Sequence, residues 1–109
     1  MEKFVKGDVV VVPFPFSDLT QSKKRPALVL AGLEGDDVIL CQITSQFLKD
    51  KYAIPIEDQD FSQGSLKQKS HIRPNRIFTA DRRIVLYKAG KIKSEKAIAV
   101  IQKLFSILN

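Results

Sequence analysis

Four consecutive valines, Val9-Val10-Val11-Val12, run straight into Pro13, and no other feature of the chain restricts its folding so strongly. β-Branched side chains are stiff at χ1 and fit a pleated surface, and an unbroken apolar run, unlike an alternating one, suits a strand covered on both faces. The stretch Pro13-Phe14-Pro15-Phe16-Ser17-Asp18 then interrupts regular structure, because each proline lacks an N–H and restricts the residue before it. A buried strand followed by a stiff loop is expected.

The same pattern recurs at short intervals. A polar, basic loop from Leu19 leads through Lys23-Lys24-Arg25-Pro26 into an apolar run over 27–31, so Arg25-Pro26 is expected at a strand entrance. Gly32, Gly35 and the pair Asp36-Asp37 supply turn chemistry before a third apolar run over 38–44, which predicts a hairpin. Further short strands are expected over 53–56, 70–74 and 75–79, separated by spacers such as Gln63-Gly64-Ser65, and a strand and turn over 82–92. The last segment changes period. Ser94 can cap a helix, Glu95 favours its positive end, and Ala97, Ile98, Ile101, Leu104, Phe105 and Leu108 recur at helical spacing, which predicts a helix over 94–107. Several short strands and one terminal helix predict a mainly β fold, a small barrel in a single domain over 1–109.

Eighteen Lys and Arg against twelve Asp and Glu give a formal charge of +6, which directs the search for partners toward polyanions, nucleic acid first. Cys41 is the only cysteine and falls within an apolar run, so no internal disulfide is possible and a reducing compartment fits. Residues 1–6 lack a signal peptide's apolar core, and no segment has the roughly 18 apolar residues of a membrane span; a soluble, cytoplasmic protein is expected. Metal-ligand spacings, phosphate-cradling glycine loops and a GxSxG elbow are all missing from the sequence, so neither a metal nor a cofactor is expected. The one histidine, His71, could serve as a general base, but two-histidine ribonuclease chemistry needs a pair, and His71 is read as structural or superficial.

What remains is Arg and Lys near loops, accompanied by Thr20, Ser22, Thr44, Ser45, Gln46 and Ser70, a set suited to binding phosphate. RNA carries its own nucleophile, the 2′-hydroxyl. A protein that cuts it needs in-line positioning, charge neutralisation at phosphorus and proton transfers, and an arginine fork with hydroxyl donors supplies the first two. Phe16, in the aromatic loop before Arg25, is a candidate for stacking a base, although Phe14 or Phe16 can instead close one end of a barrel.

Three ordered blocks, Gly7-Asp8-Val9-Val10 with its proline-rich loop, Lys24-Arg25-Pro26-Ala27-Leu28-Val29, and Gln42-Ile43-Thr44-Ser45-Gln46, resemble the MazF/PemK toxins of bacterial toxin–antitoxin pairs. Thr79-Ala80-Asp81 stands where that family usually carries Thr-Ile-Asp, which extends the resemblance over most of the chain. The resemblance implies an SH3-like barrel, shared with CcdB-like proteins, with a C-terminal helix. It also implies a homodimer, metal-independent cleavage of single-stranded RNA, and a cognate antitoxin that covers the site. By the same resemblance Arg25 and Thr44 are the catalytic positions, and Lys24, Gln46, Ser70 and Arg73 join Phe16 in binding RNA. Two positions depart from the pattern. Asn75 stands where some members place an acid beside the arginine, so the proton acceptor is unassigned and another loop carboxylate is one option; Phe78 replaces a usual arginine. The alternatives are a barrel that poisons DNA gyrase by contact, and a weakly catalytic RNA-binding regulator.

Overall fold

A computed structural model of the chain describes residues 3–14, 23–46 and 49–109. Its strands are β1 (Asp8–Phe14), β2 (Lys23–Gly32), β3 (Asp37–Thr44), β4 (Ile54–Ile56), β5 (Phe61–Gly64), β6 (Ser70–Asp81) and β7 (Tyr87–Ile92), followed by helix α1 (Ser94–Leu108). They form one curled antiparallel sheet, a half-barrel in the order β4-β6-β3-β2-β1-β7-β5, the mainly β architecture with a C-terminal helix that the sequence predicts.

The valine run explains itself in this arrangement. β1 lies between β2 and β7, and successive side chains enter cores on opposite faces of the sheet. Val9 joins Leu28, Cys41, Ile43, Ile72 and the helical Ala97 and Val100 on one face, while Val10 and Val12 join Phe4, Ala27, Val29, Leu40 and Ala80 on the other. With both faces covered, alternation has no purpose. Each buried Val, Leu or Ile contributes about 1.5–3 kcal/mol relative to exposure.

Several expectations need correction. β1 continues through Pro13 to Phe14, and β2 begins at Lys23, so Arg25 and Pro26 lie inside a strand instead of at its entrance. The pairing shows why the prolines are tolerated: β1 pairs with β7 only as far as Val11, and β2 pairs with β3 only from Ala27 onward. Both prolines therefore sit where the strand has lost its second neighbour and needs no N–H on that side. The two strands expected over 70–79 are one, β6, whose partner on β3 jumps from Ile77 at Cys41 to Arg73 at Gln42. Gln63-Gly64, read as part of a spacer, ends β5, and Arg82–Ile84 is a 3₁₀ turn ahead of β7. The helix forms as expected, but its N-cap is Lys93, with no side-chain cap bond, and Ser94 is already helical. Among the described residues no helix is long and apolar enough to cross a membrane.

Candidate functional site

The corner where β1 and β2 outrun their neighbours also carries Arg25, paired with Val12 of β1. On the other side of β2 the register sets Ala27 opposite Gln42 of β3, so Arg25 and Thr44, each two residues beyond that last pair, lie on the same face as it. Thr44 in turn faces His71 of β6, Gln42 faces Arg73, and His71 faces Pro55 of β4. Residues directly opposite, or two apart on a strand, share a face of the sheet. Arg25, Thr44, Gln42, His71 and Arg73 thus form two adjacent rows on one face, continuous with the core of Val10, Val12 and Ala27.

Local chemistry fixes several of these side chains. Thr44 is 8% exposed, and its Oγ1 accepts the backbone N–H of Gln46 at 3.2 Å, which turns the chain at the end of β3; among the described residues its hydroxyl hydrogen has no acceptor. Arg25 is half-buried and, among the described residues, has no carboxylate partner. Arg73 is tied down: its Nε donates to Asp50 Oδ2 at 3.3 Å and its Nη2 lies 3.3 Å from the same oxygen. Asp50 Oδ1 also accepts the Tyr52 N–H at 2.9 Å, so the β3–β4 connection is pinned to β6 through this carboxylate.

Lys24 and Ser70 belong elsewhere. With Pro26, Ile43, Ser45 and Gln68 they line a cleft of about 240 Å³ at the strand ends, which Arg25 borders as well. Ser70 is buried, and its hydroxyl donates to the Gln68 carbonyl at 3.0 Å, leaving only lone pairs for a ligand. Gln46 and Lys24 are exposed. Phe16 lies outside the described residues; Phe14 is half-buried with its ring 5.7 Å from that of Phe78, so that ring serves packing. A second cavity of about 490 Å³ opens beside Lys49, Asp50, Tyr52, Arg73 and Asn75. A third, about 520 Å³ between Phe4, Leu33, Asp37 and Arg82, lies at the far end of the sheet and contains none of the candidate residues. Among the described residues no three His, Cys, Asp or Glu side chains are grouped to hold a metal.

Sequence reading missed Asp50 and set His71 aside. Asp50 begins a turn, with its carbonyl accepting the Ala53 N–H at 3.1 Å, and an aspartate at a turn start is a visible local signal; its bond to Arg73 is not. His71 is half-buried, and its Nδ1 is sealed from solvent without a hydrogen-bond partner among the described residues. Cys41 is buried as expected, and burial pushes its thiol up to about 12, so it is inert as a nucleophile.

Comparisons with known proteins place this geometry in context. No curated protein sequence matches the chain significantly. Among solved structures, MazF from Deinococcus radiodurans superimposes with a TM-score of 0.77 at 20% identity, covering 99% of this chain and 98% of that one. A chain of the MazE–MazF complex from the same organism gives 0.78 at 18% identity, over 98% and 97% of the two chains. An endoribonuclease bound to its cognate antitoxin, from a mycobacterial species, gives 0.75 at 12% identity, over 96% and 94%. At these identities the likeness establishes the fold. The family comes from the sequence: matched by the family's model over residues 5–108, the chain belongs to the PemK-like, MazF-like toxins of type II toxin–antitoxin systems.

Proposed function

We propose that the protein is an endoribonuclease toxin that cuts single-stranded RNA without a metal, with Arg25 holding the scissile phosphate and Thr44 donating a hydrogen bond to it. The observation that carries this reading is that Arg25 and Thr44 lie on one face beside the end of the β2–β3 ladder, and that among the described residues the arginine has no carboxylate partner and the threonine hydroxyl donates to nothing. A guanidinium fork matches two phosphate oxygens at once, and a fixed donor beside it stabilises the charge that develops at phosphorus. The attacking group comes from the substrate, so the products are a 2′,3′-cyclic phosphate and a 5′-hydroxyl. Lys24 and Gln46 supply further contacts to the strand, and Arg73, held by Asp50, shapes the adjoining surface.

The structural relatives include toxins held by their antitoxins, which supports an antitoxin partner for this chain. Ile98, Phe105 and Leu108 on α1 are 52%, 68% and 73% exposed, an apolar surface that supports assembly with a second copy. The test is digestion of an unstructured RNA in EDTA. Cleavage leaving cyclic phosphate ends is expected; RNA that stays intact at high protein concentration removes the enzymatic reading.

A further inference from the structure

We infer that His71 is the proton-transfer group of this site, the residue that takes the proton of the attacking 2′-hydroxyl; the inference rests on the endoribonuclease reading above. His71 is the chain's single histidine, and the strand register sets it directly opposite Thr44, on the side away from Arg25. Thr44 and His71 are thus direct partners on strands about 4.8 Å apart, and Arg25, two residues beyond the Ala27–Gln42 pair, lies on the same face of β2. A phosphate lying over Thr44 has the guanidinium on one side and the imidazole on the other, and the 2′-oxygen that attacks it falls within reach of the ring.

Two further observations support the assignment. Nδ1 is buried with no hydrogen-bond partner among the described residues, an arrangement a merely structural histidine avoids and functional sites tolerate. Among the described residues nothing fixes the tautomer, and a ring with its proton on Nδ1 offers the lone pair of Nε2. The nearest rival is Asp50, but its carboxylate already accepts from Arg73 and from the Tyr52 N–H. The described titratable groups closest to His71 by register are Arg73 two residues along β6, Asp50 bonded to Arg73, and Lys96, whose Nζ donates to the carbonyl of Pro55, the β4 partner of His71, at 3.1 Å; β3 presents Thr44 and Gln42, and Arg25 lies on the same face of β2.

The step balances as follows. The O2′–H bond breaks and its proton passes to the ring nitrogen as the O2′–P bond forms. The P–O5′ bond then breaks, and the leaving oxygen takes a proton from water. The hydroxide so formed removes the proton from the imidazolium and restores the neutral ring.

Cleavage rate against pH, measured with a labelled RNA for the wild type, His71→Gln and His71→Ala, tests this. Loss of a general base lowers the rate by about 10²–10⁴-fold. The expected result is a drop of that size in both variants, with the wild-type fall in rate toward acid pH abolished, and partial rescue of His71→Ala by added imidazole that leaves Arg25→Ala inactive. Wild-type rate and an unchanged profile in His71→Gln overturn the inference. So do folded variants that are slowed with the profile unchanged and no rescue, which marks a structural role. Intact RNA with the wild type is a different outcome: it removes the reaction itself, and this inference with it.

Discussion

The two ends of the β3–β6 ladder are built from the same strands and treat charge in opposite ways. At one end Asp37 faces Asp81, and arginines bind the carboxylates gathered there: Arg82 Nη2 lies 3.0 Å from Oδ1 of the neighbouring Asp36, and Arg83 binds Asp81 through Nη2 at 2.6 Å, Nε at 2.9 Å and its backbone N–H at 2.8 Å. The Arg83 hydrogen bonds hold the Asp81 carboxyl down to about 2, and Asp81 in turn raises Arg83 further. At the other end Thr44 faces His71, with Arg25 beyond it lacking a carboxylate partner among the described residues and His71 Nδ1 without a hydrogen bond. Charges that satisfy one another hold a fold together, whereas a half-buried cation left uncommitted is available to a ligand.

The comparison breaks if cations at the two ends behave alike when removed. Arg25→Ala is expected to lower RNA cleavage by about 10²–10³-fold or more, the cost of one lost donor to a developing oxyanion, with the circular dichroism spectrum unchanged. Thr44→Val keeps the shape and removes the donor; a smaller loss, about 10–10²-fold in kcat with little change in KM, is expected from steady-state kinetics. Arg73→Ala should act mainly on stability. Its side chain and that of Asp50 are 18% and 12% exposed, so stranding the carboxylate costs roughly 1–3 kcal/mol, below the value for a fully buried pair, as read by urea denaturation. Arg83→Ala should leave cleavage intact and alter only the acid limb. With Asp81 lowered from 3.8 to about 2, its contribution to stability is present above pH 3.8 and lost as the pH falls toward 2; in the variant, an NMR titration of Asp81 should move up toward 3.8.

The sequence announces these two ends unequally. The valine run and the apolar 27–31 and 38–44 segments identify the central strands because burial on both faces leaves a local mark. Gly64 misleads for the opposite reason. Its φ is 66°, and a Cβ there would collide with the Ala89 carbonyl, so a glycine that reads as a turn is present because β5 must approach β7 closely. Arg25 is visible through its block of neighbours, but its position within β2 depends on where β7 and β3 stop pairing, which no local pattern records. The same holds for the pairing of Thr44 with His71 and of Arg73 with Asp50. Both depend on register between distant segments, so the sequence does not show what lies beside its one histidine or which loop carboxylate meets Arg73.

The central claim concerns which cation is free to meet RNA, and one measurement addresses it most directly: cleavage of a labelled unstructured RNA in EDTA by the wild type, Arg25→Ala and Arg83→Ala side by side. The account predicts that the wild type and Arg83→Ala cut alike while Arg25→Ala leaves the RNA whole. Cleavage by Arg25→Ala at the wild-type rate would contradict it.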